Sequence, residues 1–296
     1  MAYPIDVRGG GAAITPNARH LDNAVWAALT GPHIHFAERL GRAARYPADM
    51  YGFAALADPA DPAAWADLHA LAGPSTTVRV KGIDRVPSGW EVVGGGRGVQ
   101  LIDVLLRPEH APEAVRLGLG DVPEILELVA RTRPGPFLAR TVELGTYLGI
   151  RQQGRLIAMA GERLRLPGWT EISAVCTDPA HRGRGLATRL VRAVAAGIRE
   201  RGETPFLHAS AANETAIRLY QSIGFTLRTR TRILQRALAR NPGGSPPGGI
   251  ASCGGDAEHR RGNGRGAPAR NRAAAPGEEC ALFECRYLRR RVASRS

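Results

Sequence analysis

The sequence ISAVCTDPAHRGRGLAT, from Ile172 to Thr188, contains the pattern that decides the fold of this 296-residue chain. It begins as an alternating strand and ends in a run with helical spacing. Between the two lie Gly183 and Gly185, and glycine lets a backbone turn tightly and approach a ligand closely. The loop amides are then expected to lie at the N-terminus of the helix, where the macrodipole is positive. The stretch therefore predicts a diphosphate site, with Arg182 and Arg184 adding positive charge.

This loop differs from two other phosphate-binding patterns. It has no Gly-Lys-Ser or Gly-Lys-Thr, so it is not a Walker loop, and it lacks the third glycine of the dinucleotide fingerprint. Taken alone, a Gly-x-Gly loop is also consistent with an ordinary tight turn.

The sequence around the loop predicts an α/β fold with a mixed sheet. Apolar periodicity and capping residues predict helix, strand, strand, strand, helix, strand, helix and strand in that order. The first helix is expected to begin at Asp121, and the elements after it are expected at 146–150, 156–162, 170–177, 185–200, 205–209, 213–222 and 225–234.

A second motif lies about 25 residues after the loop, in the stretch NETAIRLYQSIGF from Asn213 to Phe225. Together the two stretches resemble the GCN5-related N-acetyltransferase (GNAT) superfamily, and most closely its FR47-like branch. The loop reads as that family's Gln/Arg-x-x-Gly-x-Gly/Ala motif, and the second stretch as its N-x-x-A-x-x-L-Y-x-x-x-G-F motif. The resemblance covers residues 115–233.

The resemblance implies the acyl-CoA N-acyltransferase fold, acetyl-CoA as co-substrate without a metal, and direct attack of an amine on the acetyl group. Tyr220 would be the general acid, since a phenol stays protonated at neutral pH. The residues that would hold acetyl-CoA are Val175, Cys176, Thr177, Arg182, Gly183, Arg184, Gly185, Leu186, Ala187, Thr188 and Asn213.

The base that removes the amine proton is open at this point. Glu171 begins the strand before the loop and is the candidate, although a solvated strand-end charge would look the same. Glu162 and His208 are alternatives on neighbouring strands. Cys176 has no pairing with histidine and aspartate that the sequence can indicate, so we interpret it as a small apolar residue rather than a nucleophile.

Composition changes along the chain predict four segments. Residues 1–19 are expected to form a flexible arm, 20–110 an N-terminal α/β lobe, 111–238 the acetyltransferase domain, and 239–296 a disordered Arg-, Gly- and Pro-rich tail. The lobe is expected to hold helices at 21–29 and 62–71 and strands at 76–80 and 91–93. Its helix-then-strand order is consistent with a degenerate second copy of the same fold.

Composition also limits the function classes. The chain is 44% hydrophobic, carries a net charge of +13 and has four cysteines. No apolar run is long enough for a membrane span, and no secretory signal is evident. Few cysteines fit a reducing compartment, so we expect a cytoplasmic protein. Cys253, His259, Cys280 and Cys285 match no zinc-finger spacing.

Nearly all basic residues are arginine, which we interpret as compositional bias rather than a nucleic-acid surface. The expected partner is a small-molecule or peptide amine, and the state is monomer or homodimer. The alternative function is a non-catalytic acetyl-CoA-binding regulatory module. The sequence does not identify the acceptor.

Overall fold

A computed structural model describes residues 16–73, 76–83 and 86–238, with side chains described as far as residue 232. The described residues all belong to one compact unit. The predicted tail and the four-residue Cys/His set lie outside the described residues, as does most of the predicted arm. The end of that arm, Ala18–Leu21, forms a short 3-10 helix.

The described chain contains an N-terminal set of elements followed by an alternating α/β set. The N-terminal elements are α1 (Ala24–Leu29), β1 (Glu38–Leu40), β2 (Ala43–Arg45), β3 (Ala54–Leu56), α2 (Pro62–Ala72), β4 (Thr77–Lys81) and β5 (Trp90–Asp103). The later elements are β6 (Ala114–Leu117), α3 (Val122–Thr132), β7 (Tyr147–Gln152), β8 (Arg155–Leu166), β9 (Trp169–Thr177), α4 (Leu186–Glu200), β10 (Thr204–Ser210), α5 (Glu214–Ser222) and β11 (Phe225–Leu238).

Eight strands form one mixed sheet in the order β4-β11-β5-β10-β9-β8-β7-β6, and β1, β2 and β3 form a small antiparallel sheet. Within the large sheet β9 and β10 are parallel, and the other paired strands are antiparallel. The predicted mixed α/β sheet is therefore confirmed.

The helix after the glycine loop forms because its apolar residues fall on one face. Leu186, Leu190, Val191, Val194 and Ile198 of α4 are all buried against the sheet, as the periodicity predicted. A helix with such a face gains most of its stability from tertiary packing. This packing fixes where α4 begins, and hence where its first-turn amides lie.

The two faces of the sheet carry different helices. Helices α4 and α5 share one apolar core, whereas α1 and α3 contribute to cores on the other face. Phe206 and Leu207 of β10 illustrate the alternation, because Phe206 packs in the α1 core and Leu207 in the α4 core. Side chains of β10 at even-numbered positions therefore face the N-terminal elements.

The N-terminal elements differ from the prediction in one important respect. The short strand expected at 91–93 is the start of the 14-residue β5, which lies between β10 and β11 in the middle of the sheet. Strand β6 and the small sheet were also missed. The domain boundary at 110 stays a prediction, but residues before it supply two strands of the large sheet. None of the described helices has the length and apolarity to cross a membrane.

Candidate functional site

A gap opens in the sheet where β9 and β10 stop pairing. Their parallel register runs from Trp169↔Thr204 to Ile172↔Leu207. Beyond this point β9 continues to pair with β8, while β10 continues to pair with β5 on its other side. Ala174, just past the last pair, has a φ of +54°, which is uncommon for a residue other than glycine. The backbone of residues 173–177, including Val175, Cys176 and Thr177, thus borders the gap.

The glycine loop leads into an uncapped helix beside this gap. Gly183 and Gly185 have φ values of +77° and +72°, a region that favours glycine. Gly185 is the N-cap of α4, no side chain caps the helix, and its first turn holds no acidic residue. The amides of the first turn are therefore available to an anion, in the positive field of the macrodipole. The loop and the first turn thus offer free amides for a diphosphate, whose binding here stays a prediction.

The two loop arginines are exposed. Arg184 donates to the side-chain oxygen of Gln152 at 2.9 Å, and Arg182 makes a long 3.4 Å contact with the carbonyl of Thr177. Asn213 caps α5, because its Oδ1 accepts a hydrogen bond from Ala216 at 3.1 Å. Only the Nδ2 donor of Asn213 is then left to serve a ligand.

Tyr220 lies on α5, in the core that α4 and α5 share, with 8% of its surface exposed. Burial, followed by the nearby Cys176, raises the pKa of Tyr220 to about 12. Burial likewise raises the pKa of the Cys176 thiol to about 11. Both groups are protonated at neutral pH, so Tyr220 can donate a proton, and Cys176 does not have the thiolate character of a nucleophile.

Glu171 is fully buried on the opposite face of the sheet. Its carboxylate accepts two hydrogen bonds from Arg163, at 3.0 and 2.8 Å, and lies 2.7 Å from Nδ1 of His208. Burial alone would raise the pKa of Glu171, but Arg163, Lys81 and His208 together hold it well below its ordinary value. Glu171 is therefore neither the solvated strand-end charge nor a free base.

His208 is the first residue of β10 beyond the last pair with β9. With Nδ1 donating to Glu171, its Nε2 accepts from Nε2 of Gln100 at 3.1 Å. Gln100 is fixed in turn, since its Nε2 also donates to the carbonyl of Leu21 and its Oε1 accepts from Arg228. Burial, followed by the charge of Lys81, lowers the pKa of His208 to about 4, so the ring is neutral.

The other carboxylate considered from the sequence, Glu162, is paired elsewhere. Its Oε1 accepts from Arg201 at 2.9 Å and its Oε2 from the amide of Thr146 at 3.4 Å. Glu162 therefore belongs to a structural ion pair with Arg201. Of the three candidate bases, the structure joins Glu171 and His208 into one hydrogen-bonded pair.

A small cavity adjoins His208 between α1, β3, β4 and β5. Lys81, Gln100 and His208 line it, together with Asn23 and Asp22. We refer to it as the Lys81 cavity. Sequence reasoning missed Lys81, Gln100 and the Arg163 partner of Glu171, because their proximity depends on pairing between distant strands. Among the described residues, no group of three or more metal-ligating side chains is found.

Comparisons with known proteins agree with this geometry. The family model described as FR47-like protein matches residues 147–234. A crystal structure from Novosphingobium aromaticivorans, described as an acetyltransferase from the GNAT family, is 39% identical, with a TM-score of 0.68. That match covers 74% of this chain and 99% of the other. A GCN5-related N-acetyltransferase from Kribbella flavida is 17% identical, with a TM-score of 0.51 over 78% and 97% of the two chains, which supports the fold alone.

Two curated relatives match shorter stretches. N-alpha-acetyltransferase RimI of Mycobacterium tuberculosis is 38% identical over 82 residues, which are 27% of this chain and 51% of that protein. Mycothiol acetyltransferase of Thermobispora bispora is 44% identical over 57 residues, 19% of each chain. The chain thus spans about half the length of the first relative and less of the second.

Proposed function

The chain belongs to the GNAT family, and from that membership we propose that it is an enzyme that transfers an acetyl group from acetyl-CoA to an amine. The observation that carries the proposal is the coincidence of three features at the β9/β10 gap. These are an open strand edge, an uncapped helix N-terminus after two glycines at positive φ, and a buried tyrosine. They suit, in turn, the amide-rich arm, the diphosphate and the leaving sulfur of a CoA thioester.

Different parts of acetyl-CoA would be bound by different groups of residues. Backbone amides of Val175, Cys176 and Thr177 at the gap suit the amide-rich pantetheine arm. The diphosphate suits the amides of the loop and first turn, residues 183–188, because these lie in a positive field and are uncapped. Arg182 and Arg184 add charge from the exposed loop, and Nδ2 of Asn213 adds one donor.

When bound, acetyl-CoA supplies an acetyl group activated as a thioester. In the proposed reaction the amine nitrogen bonds to the acetyl carbon, the carbon–sulfur bond breaks, and the sulfur leaves with the bonding pair. Tyr220 donates its hydroxyl proton toward that sulfur as general acid. The burial that raises the pKa of Tyr220 to about 12 would also raise that of a thiol formed beside it, so the proton affinities stay matched.

The amine must lose a proton before or during attack. In this proposal His208 receives it at Nε2, and Glu171 acts through His208 rather than directly. Glu171 is a positioning residue because both of its oxygens are occupied, one by Arg163 alone and one shared with His208. Its hydrogen bond to Nδ1 holds the tautomer that has its lone pair on Nε2, and in the proposal the amine takes the place of the Gln100 amide that this lone pair accepts from in the structure.

The first experiment measures thermal unfolding of the full-length protein with and without acetyl-CoA or CoA. A ligand at about 100 times its Kd stabilises the native state by about 2.7 kcal/mol. For a domain of about 150–250 residues this raises the Tm by about 5–10 °C. No shift for a folded protein would contradict the proposal, and a shift without thiol release for any amine would favour the regulatory module.

Tyr220→Phe then tests the mechanism. We expect turnover, followed as thiol release, to fall about 10²-fold or more, while the stabilisation by CoA is retained. The matched control is Tyr46→Phe, which also removes a buried hydroxyl, one bonded to His33 in the N-terminal elements. Equal effects of the two variants on turnover would argue against Tyr220 as the general acid.

A further inference from the structure

The Lys81 cavity contains an ammonium group without a partner. Among the described residues, Nζ of Lys81 is one of the side-chain atoms that are shielded from solvent and make no hydrogen bond. Burial lowers the pKa of Lys81 to about 8, while Glu171 acts to raise it. An isolated buried charge is costly unless something pairs with it. The side chain is therefore held in a place where an anion would stabilise it.

Aromatic rings hold this ammonium in position. Nζ of Lys81 lies 5.0 Å from the ring centre of Phe53, and that ring stacks on Tyr51 with centroids 4.6 Å apart. The guanidinium of Arg163 lies 4.8 Å from the ring centre of Tyr51. Each of the two stacked rings thus makes a cation–π contact with one cation.

The charges around this stack do not balance. Arg163 is neutralised by its two hydrogen bonds to Glu171, and His208 is neutral. Asp22, which also lines the cavity, is paired with Arg228. Arg79 also acts on Tyr51 but does not line the cavity. Among the charged side chains that do line it, Lys81 is the one without a hydrogen-bonded counter-ion, which gives the cavity an excess of one positive charge.

Resting on the function proposed above, we infer that the acceptor amine also carries a carboxylate, which enters the Lys81 cavity and pairs with the Lys81 ammonium. Gln100 and His208 line the same cavity, and His208 also stands at the β9/β10 gap. An acceptor held by its carboxylate at Lys81 would therefore present its amine toward His208 and the gap. Lys81 is a specificity residue in this inference and makes no bond to the reacting atoms.

Size and charge favour a carboxylate over a phosphate. The cavity volume is about 30 Å³, which is room for about one or two water-sized groups. A planar carboxylate is close to that size, and its single charge equals the excess charge of the cavity. A phosphate ester is bulkier and carries a second charge at neutral pH.

Binding of a carboxylate would also prepare His208 for its proposed role. The charge of Lys81 is the second cause, after burial, of the low pKa of His208. A negative group beside Lys81 would offset that charge and raise the pKa of His208 toward neutrality, where a general base works best. An acceptor without the carboxylate would leave His208 a weaker base.

The test uses the full-length protein with saturating acetyl-CoA and follows thiol release. The acceptors are straight-chain ω-amino acids of three to six carbons, each compared with its primary amide, which has similar size and no charge. We expect at least one acid to exceed its amide tenfold or more in kcat/KM. In Lys81→Met, which keeps much of the side-chain volume, that ratio should fall to within about threefold of one.

The matched control is Arg116→Met on the exposed edge strand β6, which removes one positive charge far from the cavity in the sheet order. Its acid-to-amide ratio should equal that of the wild type. If the wild type used acid and amide with equal kcat/KM, the inference would be overturned, and this comparison requires no variant. An acid-to-amide ratio that is unchanged in Lys81→Met would also overturn it. In both cases thiol release persists, whereas absence of thiol release and of CoA stabilisation would defeat the proposed function itself.

Discussion

Replacing Glu171 with glutamine removes one buried negative charge and almost no volume. The side chain of Glu171 is 0% exposed and that of its partner Arg163 is 11% exposed. The variant leaves the Arg163 guanidinium and the Lys81 ammonium buried without their shared counter-ion. Breaking a buried ion pair in this way costs about 3–5 kcal/mol of the free energy of unfolding. For a domain of about 150–250 residues the Tm should therefore fall by about 6–20 °C.

The assay is urea unfolding of the full-length protein at pH 7, followed by tryptophan fluorescence, with the midpoint compared at constant m-value. The double variant Glu171→Gln/Arg163→Gln should be more stable than the sum of the single losses predicts, by about 0.5–3 kcal/mol. Glu214→Gln breaks the exposed pair with Arg218 and should cost less than about 1 kcal/mol. A loss below about 1 kcal/mol for Glu171→Gln, or strict additivity in the double variant, would refute this account of the buried pair.

Three further predictions concern other parts of the molecule. Gly224→Ala should lower the free energy of unfolding by about 3 kcal/mol in the same urea assay, because its φ is +114° and a Cβ would clash with backbone atoms. The control Gly202→Ala, at φ +73° with open space around it, should lower it by about 1–2 kcal/mol. Lys81→Met should raise the pKa of His208 above about 4 in an NMR titration of the ring, since a nearby positive charge disfavours the imidazolium; an unchanged pKa would contradict the proximity of the two groups. Arg182→Gln should weaken CoA binding in calorimetry about two- to fivefold at low salt and less at high salt, because an exposed charge is screened.

The secondary structure around the glycine loop could be predicted from the sequence because neighbouring residues decide it, whereas the cofactor-binding residues stay a prediction. A strand, two glycines at positive φ and an amphipathic helix follow one another between Ile172 and Glu200. Each feature has a short-range signature in period or residue type, and the helix α4 buries the face that the pattern indicated. The role of Tyr220 rests on resemblance and stays a prediction.

The position of β5 could not be predicted in the same way. Its partners β10 and β11 lie more than 100 residues later in the chain, and its glycines at 94–96 interrupt the strand alternation. Pairing between such distant segments is decided by long-range packing, which a local period does not report. The sequence therefore predicted only residues 91–93 of a 14-residue strand that lies between β10 and β11 in the sheet.

The Lys81 cavity, which we propose as the acceptor side, was missed for the same reason, although one signal was present in the composition. Lys81 is the single lysine in a chain with 40 lysine and arginine residues. Arginine is always charged and presents five donors in a rigid plane, whereas lysine is a compact point charge whose pKa responds to burial. A position that keeps lysine against such a strong preference for arginine is a candidate for a buried role.

In the proposed function the two halves of the chain contribute different parts of one site. The open edge of β9 and the start of α4 come from the later half, and they would meet a ligand with backbone groups that depend little on side-chain identity. The residues that line the Lys81 cavity come largely from the earlier half, from α1 and the residues before it, from β3, and from Lys81 of β4 and Gln100 of β5. Because β5 pairs directly with β10, the earlier half is held in register with His208 at the gap. If the proposal is right, we therefore expect substitutions in the N-terminal elements to change which acceptor is bound while CoA binding at the glycine loop is retained.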